Sequence, residues 1–284
     1  MAVLQMPTVY YKQFDADPAL EFPGESFGGW QKEMLPLDLS ATAVVVMHAW
    51  DCGSRTDYPG WHRAVEYLSR ARDILSSVFP QLLQAVRESE LKLFHVVGSG
   101  GYYKRDSGYL DAVRLARQWG LEQRVGLAGE AGSDRMRAAI EDLSAQPVLR
   151  HLRDFKAGNG YPGKHNMPDI GRGCAAIDYA AEARPLPGEG VAENGSQLLA
   201  LCLDANVSHL IYAGFAVNWC MLLEPGGMAE MSRNGLLCSV IPEAVTAVEN
   251  RESVRVEWAK KLALWRVALA FGFVYELEDF LRCL

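Results

Sequence analysis

The segment that most constrains this chain is the apolar run Leu210-Ile211-Tyr212-Ala213, which stops at Gly214 and continues into Phe215-Ala216-Val217-Asn218-Trp219-Cys220. A short, bounded apolar run rich in strand formers has the signature of a parallel strand buried on both faces. Small residues at positions 214 and 216 let the backbone turn sharply, and Cys220 then opens a helix beginning Met221-Leu222-Leu223. A thiol at a helix start sits where the helix end favours thiolate. Unpaired backbone N–H groups in such a turn can hold an oxyanion. A cysteine after a strand is also, in the commoner case, a small core hydrophobe. From these residues alone Cys220 is either a nucleophile or a packing residue.

A second continuous apolar run, Ala43-Val44-Val45-Val46-Met47, predicts a central parallel strand that delivers His48 to its carboxyl end. Ligands of open α/β sheets bind beyond the carboxyl ends of the strands, so His48-Ala49-Trp50-Asp51 is expected on the same face as Cys220. An imidazole there can take a thiol proton, with Asp51 orienting it, or it can be a buried structural histidine. Helical periodicity from Val65 to Val86 is expected to be split by Pro80. Leu91 to Val97 reads as the next strand, which gives the order of a right-handed crossover. The Gly98-Ser99-Gly100-Gly101 that follows lacks dinucleotide-binding spacing and reads as a flexible loop.

The rest of the chain is organised around these strands. Residues 1–40 read as an irregular N-terminal arm, rich in aromatics and turn formers, that wraps either its own domain or a neighbouring subunit. Residues 41–284 read as one α/β domain, with an insertion at about 102–172 that contains helical stretches near Tyr109–Trp119 and Ser133–Leu143. The Gly/Pro-rich end of that insertion carries Lys164 and His165, which a binding loop can bring over a site or leave in solvent. Asn194 is a suitable N-cap for the apolar helix that follows it. Glu224-Pro225-Gly226-Gly227 is expected to break the helix after Cys220. Phe273-Val274-Tyr275 is a short strand near the end of the chain.

A chain of 284 residues with 49% hydrophobic residues can bury a large core. Its net charge of −7 is spread without a basic run, which argues against nucleic acid and anionic membrane surfaces as partners. Without a leader or a long apolar span, it is expected in the cytoplasm. The six cysteines lack CxxC spacing, which argues against a disulfide framework and a cysteine zinc site. Serine-hydrolase, zincin and P-loop motifs are absent.

The run Gly214-Phe215-Ala216-Val217-Asn218-Trp219-Cys220-Met221 resembles the G-x-A-T-N-x-C-V nucleophile segment of the isochorismatase-like cysteine hydrolases, the group that includes nicotinamidases and N-carbamoylsarcosine amidase. Val217 replaces the usual threonine. The resemblance extends over Thr42–Val97 and Cys174–Glu249, and it implies a three-layer, doubly wound (Rossmann-like), mostly parallel sheet with helices on both faces. It further implies a cis peptide between Ala216 and Val217, backbone N–H groups of Val217 and Cys220 as oxyanion donors, and a homo-oligomer. Two members of the family triad are altered. His48 stands where the family has its aspartate base, and the family lysine, which ends the strand read at Cys174–Ala183, falls on or beside Ala183. Arg184 can supply a cation but cannot shuttle a proton, and Glu182 is a further site candidate. His48, Asp51 and His62 lie roughly where some relatives bind a metal, but the D-x-H spacing is missing, so no metal or other cofactor is expected. The resemblance therefore implies a hydrolase of a small amide or related C–N bond, acting on a small-molecule substrate through a covalent Cys220 intermediate. The alternative it leaves is an inactive relative that serves as a small-molecule binder or oligomeric scaffold.

Overall fold

The computed structural model describes residues 3–98, 100–121, 138–143 and 145–284. Two ten-residue strands, β1 (Val3–Lys12) and β2 (Gly29–Asp38), pair as an antiparallel hairpin. The chain then enters the sheet at β3 (Thr42–Met47), makes the short β4 (Trp50–Asp51), and passes through three helices, α1 (Pro59–Ala64), α2 (Leu68–Ser77) and α3 (Phe79–Glu88). Pro80 lies in the first turn of α3, so the long helical periodicity is split where proline requires it. Strand β5 (Lys92–Val96) is followed by α4 (Ser107–Gln118), α5 (Pro147–Asn159), α6 (Met167–Ala176) and the short β6 (Asp178–Tyr179). Next come β7 (Gly190–Ala192), α7 (Gly195–Asp204) and β8 (His209–Gly214). The last part holds α8 (Cys220–Leu223), α9 (Met228–Arg233), β9 (Leu237–Val245), α10 (Trp258–Ala270) and α11 (Leu277–Cys283).

The central sheet has five strands in the order β7-β5-β3-β8-β9, and every pair is parallel. All six residues of β3 are buried, which is why its sequence shows no polar alternation. Ala43, Val45 and Met47 face a core completed by α4, α7 and α10, whereas Val44 and Val46 face one completed by α2, α3 and α11. Helices cover both faces, and the fold is a three-layer α/β sandwich. From β3 the chain moves outward to β5 and β7, then returns to the other side of β3 for β8 and β9. The reversal falls between β3 and β8, and a ligand crevice forms at such a switch point beyond the carboxyl ends of the strands.

Three local expectations need correction. The N-terminal arm is a regular hairpin rather than irregular. It lies on its own chain: Val9 and Val274 exchange N–H···O bonds of 3.0 and 2.9 Å, and Tyr275 N–H donates to Val240 of β9 at 3.0 Å. Its strands carry Pro7 and Pro36 and little apolar alternation, so the period-2 signal is weak. Cys174 lies in α6, not in a strand; the segment extends only over β6 before a 3-10 turn at Ala181–Ala183. There Gly173 packs so closely on Trp61 that a Cβ would lie 2.0 Å from its ring, a contact that only α1 and α6 together create. The cis peptide joins Phe215 to Ala216, one residue before the expected bond. Within the stretch read as an insertion, α4 buries Ala112, Leu115 and Ala116 in the core. Of the helical stretch expected near Ser133–Leu143, residues 138–143 are helical and the earlier ones lie outside the described residues.

Candidate active site

Strands β3 and β8 are adjacent, and their carboxyl ends carry His48 and the turn to Cys220. Gly214 has φ +133°, and a Cβ there would lie 1.9 Å from the Met47 carbonyl oxygen, so glycine is required where β8 leaves the sheet. Phe215 turns into the core and stacks on Phe79 with centroids 5.8 Å apart. The Ala216 carbonyl accepts the N–H groups of Trp219 and Met221, both at 3.1 Å, and this folds the turn into α8. The turn is latched from the far side by the segment after β9. Val217 N–H donates to the Thr246 carbonyl at 2.7 Å, and the Asn218 amide both donates to and accepts from the Val248 backbone at 2.8 Å. Val217 is therefore a poor oxyanion donor, because its N–H already has a partner.

Cys220 is half-buried at the first position of α8. Burial, and after it the nearby Glu224 carboxylate, pushes its thiol up to about 11, while the backbone N–H groups of Ala216 and Cys220 pull the other way. Those two N–H groups favour the thiolate, and among the described residues no side-chain cation lowers it. Tyr67 and Tyr161 flank it: burial raises both phenols, and each is raised further by a Cys220 thiolate. Neither tyrosine carries a motif that would have marked it in the sequence. The Gly160-Tyr161-Pro162-Gly163 turn, with a cis bond before Pro162, is the one local signal for Tyr161.

His48 has φ +54°, an uncommon backbone for a non-glycine residue, and its N–H donates to Val96 of β5 at 3.0 Å. Its ring stacks on Trp50 at 4.4 Å, and its buried Nδ1 has no hydrogen-bond partner. Burial holds the imidazole down at about 4, so it is neutral at physiological pH. Among the described residues no hydrogen bond joins His48 to Cys220.

The lower-ranked residues do not converge on the thiol. Asp51 and Glu182 line a separate cavity of about 260 Å³ together with His62 and Arg72. Asp51 accepts the Gly53 N–H at 2.8 Å. Arg184 pairs with Asp178 at 2.7 Å and lies over the Tyr179 ring, so its charge is engaged elsewhere. Ala183, on or beside the position expected for the lysine, is fully buried in the core. Lys164 and His165 are exposed on the 3-10 turn Lys164–Asn166. Among the described residues no group of three or more His, Cys, Asp or Glu is arranged to hold a metal ion.

No family model matches the chain, and no curated protein matches it. Several solved structures are similar to it. A cysteine hydrolase from Pseudomonas syringae pv. phaseolicola is 14% identical, with a TM-score of 0.44 over 87% of this chain and 94% of that one. An isochorismatase-like hydrolase from Alkaliphilus metalliredigens is 10% identical, with a TM-score of 0.46 over 86% and 98%. An octameric hydrolase of unknown specificity from Escherichia coli is 11% identical, with a TM-score of 0.43 over 89% and 84%.

Proposed function

We propose that this chain is a cysteine hydrolase of the isochorismatase-like kind, cleaving a small, uncharged amide or related C–N bond at Cys220. The observation that carries this is the seat of Cys220: it opens α8 just past the carboxyl end of β8, at the switch point of the sheet, where the backbone N–H groups of Ala216 and Cys220 favour its thiolate. In the reaction the sulfur bonds to the substrate carbonyl carbon while the thiol proton passes to neutral His48, directly or through a water. The Ala216 and Cys220 N–H groups replace the expected Val217 and Cys220 pair in holding the developing oxyanion. His48 returns the proton to the leaving nitrogen as the C–N bond breaks, and water then hydrolyses the thioester and restores the thiol. A neutral Cys220 thiol with the Glu224 carboxylate close by favours an uncharged substrate over an anionic one.

One observation favours a second reading, a binder that has lost the chemistry: Ala183 is buried where the family lysine belongs, and Arg184 is paired with Asp178. Turnover of a panel of small amides, with binding followed by calorimetry, separates the two. For a hydrolase, Cys220→Ala abolishes turnover and retains binding. Turnover that survives Cys220→Ala removes the thiol from the mechanism, and binding with no turnover in the unaltered chain selects the binder.

A further inference from the structure

Next to the Trp50 ring on which His48 stacks lies a small polar chamber that the proposed chemistry does not use. Trp50, His95 and Tyr102 line it, and it leaves about 10 Å³ for the centre of a water-sized molecule, room for one and no more. Each of the three carries a buried polar atom with no hydrogen-bond partner among the described residues: Trp50 Nε1, His95 Nδ1 and the Tyr102 hydroxyl. Glu189 fixes what His95 offers. His95 is buried on β5 with its Nε2 2.8 Å from Glu189 Oε2, and Arg87 Nε donates to the other Glu189 oxygen at 2.7 Å. Burial pushes the Glu189 carboxyl up, but His95, Arg87 and the Leu186 N–H together hold it down at about 2. Burial lowers the His95 imidazole by more than Glu189 raises it, so the ring is neutral at physiological pH. A neutral imidazole facing a carboxylate donates through Nε2 and leaves Nδ1 as a bare acceptor. Trp50 Nε1 can only donate. Burial raises the Tyr102 phenol and the neighbouring Trp50 N–H opposes that rise, so the two groups are close, yet neither completes a hydrogen bond with the other. An anion would meet the Nδ1 lone pair and a cation the indole N–H. Only a neutral molecule that both donates and accepts satisfies the set.

We propose that this chamber is a site for one bound water, which accepts the Trp50 N–H and the Tyr102 O–H and donates to His95 Nδ1. Three hydrogen bonds are the usual complement of a buried water, and they satisfy all three groups, whose burial unpaired is costly. The water ties the edge of the indole to the Arg87–Glu189–His95 network. The Trp50 face lies 4.4 Å from the His48 ring and is inclined to it by 15°, so fixing the indole fixes the surface on which that imidazole rests. Trp50 and His95 are thereby positioning residues for His48. Their bearing on catalysis rests on the role given to His48 above; the water site does not.

Nitrogen-15 spectra of the full chain and of its His95→Gln variant test this. A glutamine amide can keep the bond to Glu189 while it removes the Nδ1 acceptor. Solvent exchange of the Trp50 indole N–H is expected to quicken about tenfold, the worth of one hydrogen bond, with the β3 and β5 amides unchanged. The His48 ring resonances are expected to move as the Trp50 ring current shifts. Unchanged indole exchange overturns the water site, because it leaves Trp50 paired directly with Tyr102. A quickened indole beside unmoved His48 resonances overturns the positioning role. Should His95→Gln lose its fold, or quicken the β3 and β5 amides as well, a crystal structure of the unaltered chain decides: a water within about 3.2 Å of all three atoms bears the proposal out, and a dry chamber refutes it. Absence of turnover on every amide tried removes the base at His48 and alters neither the exchange nor the crystallographic result.

Discussion

At Cys220 the resting state is a protonated thiol. With the thiol at about 11, only roughly one part in a thousand is thiolate at pH 8, against about a quarter for a free cysteine. Brief iodoacetamide pulses read by peptide mapping should therefore find Cys220 slow at pH 7, with a rate still climbing above pH 9. Rapid labelling at neutral pH would show instead a cation or imidazolium beside the sulfur. His48 points the same way, since an imidazole at about 4 takes a proton only when the substrate makes the transfer favourable. At this scale the sequence offered the sulfur and the histidine as site candidates and carried no sign of their state. Arg184 is engaged by Asp178 only six residues away, whereas burial and the capture of the Val217 N–H by Thr246 arise from residues distant in the chain. No local pattern encodes them.

Strands β3 and β8 were legible because short unbroken apolar runs, rich in strand formers and bounded by turn residues, are the pattern of strands buried on both faces. The Asn194 cap was legible for a local reason: its side chain accepts the Gln197 N–H at 3.0 Å. The break at Glu224–Gly227 separates α8 from α9, as its proline and glycines demand. The hairpin and the helical setting of Cys174 were not legible, because tertiary contacts with Val274 and Trp61 decide them. The junction of β8 with β3 makes the sharpest prediction for an element. Gly214→Ala puts a methyl into the Met47 carbonyl at the centre of the sheet, and the loss should exceed about 3 kcal/mol or abolish folding. Urea titration against the parent measures it, and a loss below about 1 kcal/mol would mean that β8 can shift away from β3.

For the molecule as a whole, buried histidines set the acid limit. Burial lowers both His48 and His209 from 6.5 to about 4. Between those values the unfolded chain holds more protons than the folded one, so stability rises with pH across that interval. The contribution is fully present above pH 6.5, and lowering the pH to 4 removes about 3 kcal/mol for each histidine. Urea midpoints at pH 7 and pH 4.5 should differ accordingly, and His209→Asn should flatten the dependence. An unchanged midpoint would place both rings in contact with water. The four residues Thr246–Glu249 have a wider consequence. Thr246 and Val248 hold the Cys220 turn, while the buried Glu249 carboxylate accepts the Ala259 and Lys260 N–H groups at the start of α10. One short strut thus braces both the thiol's turn and the start of α10. Any free energy that a shift of α10 transmits along this strut to a ligand at Cys220 must, by reciprocity, return in equal measure from the ligand to α10.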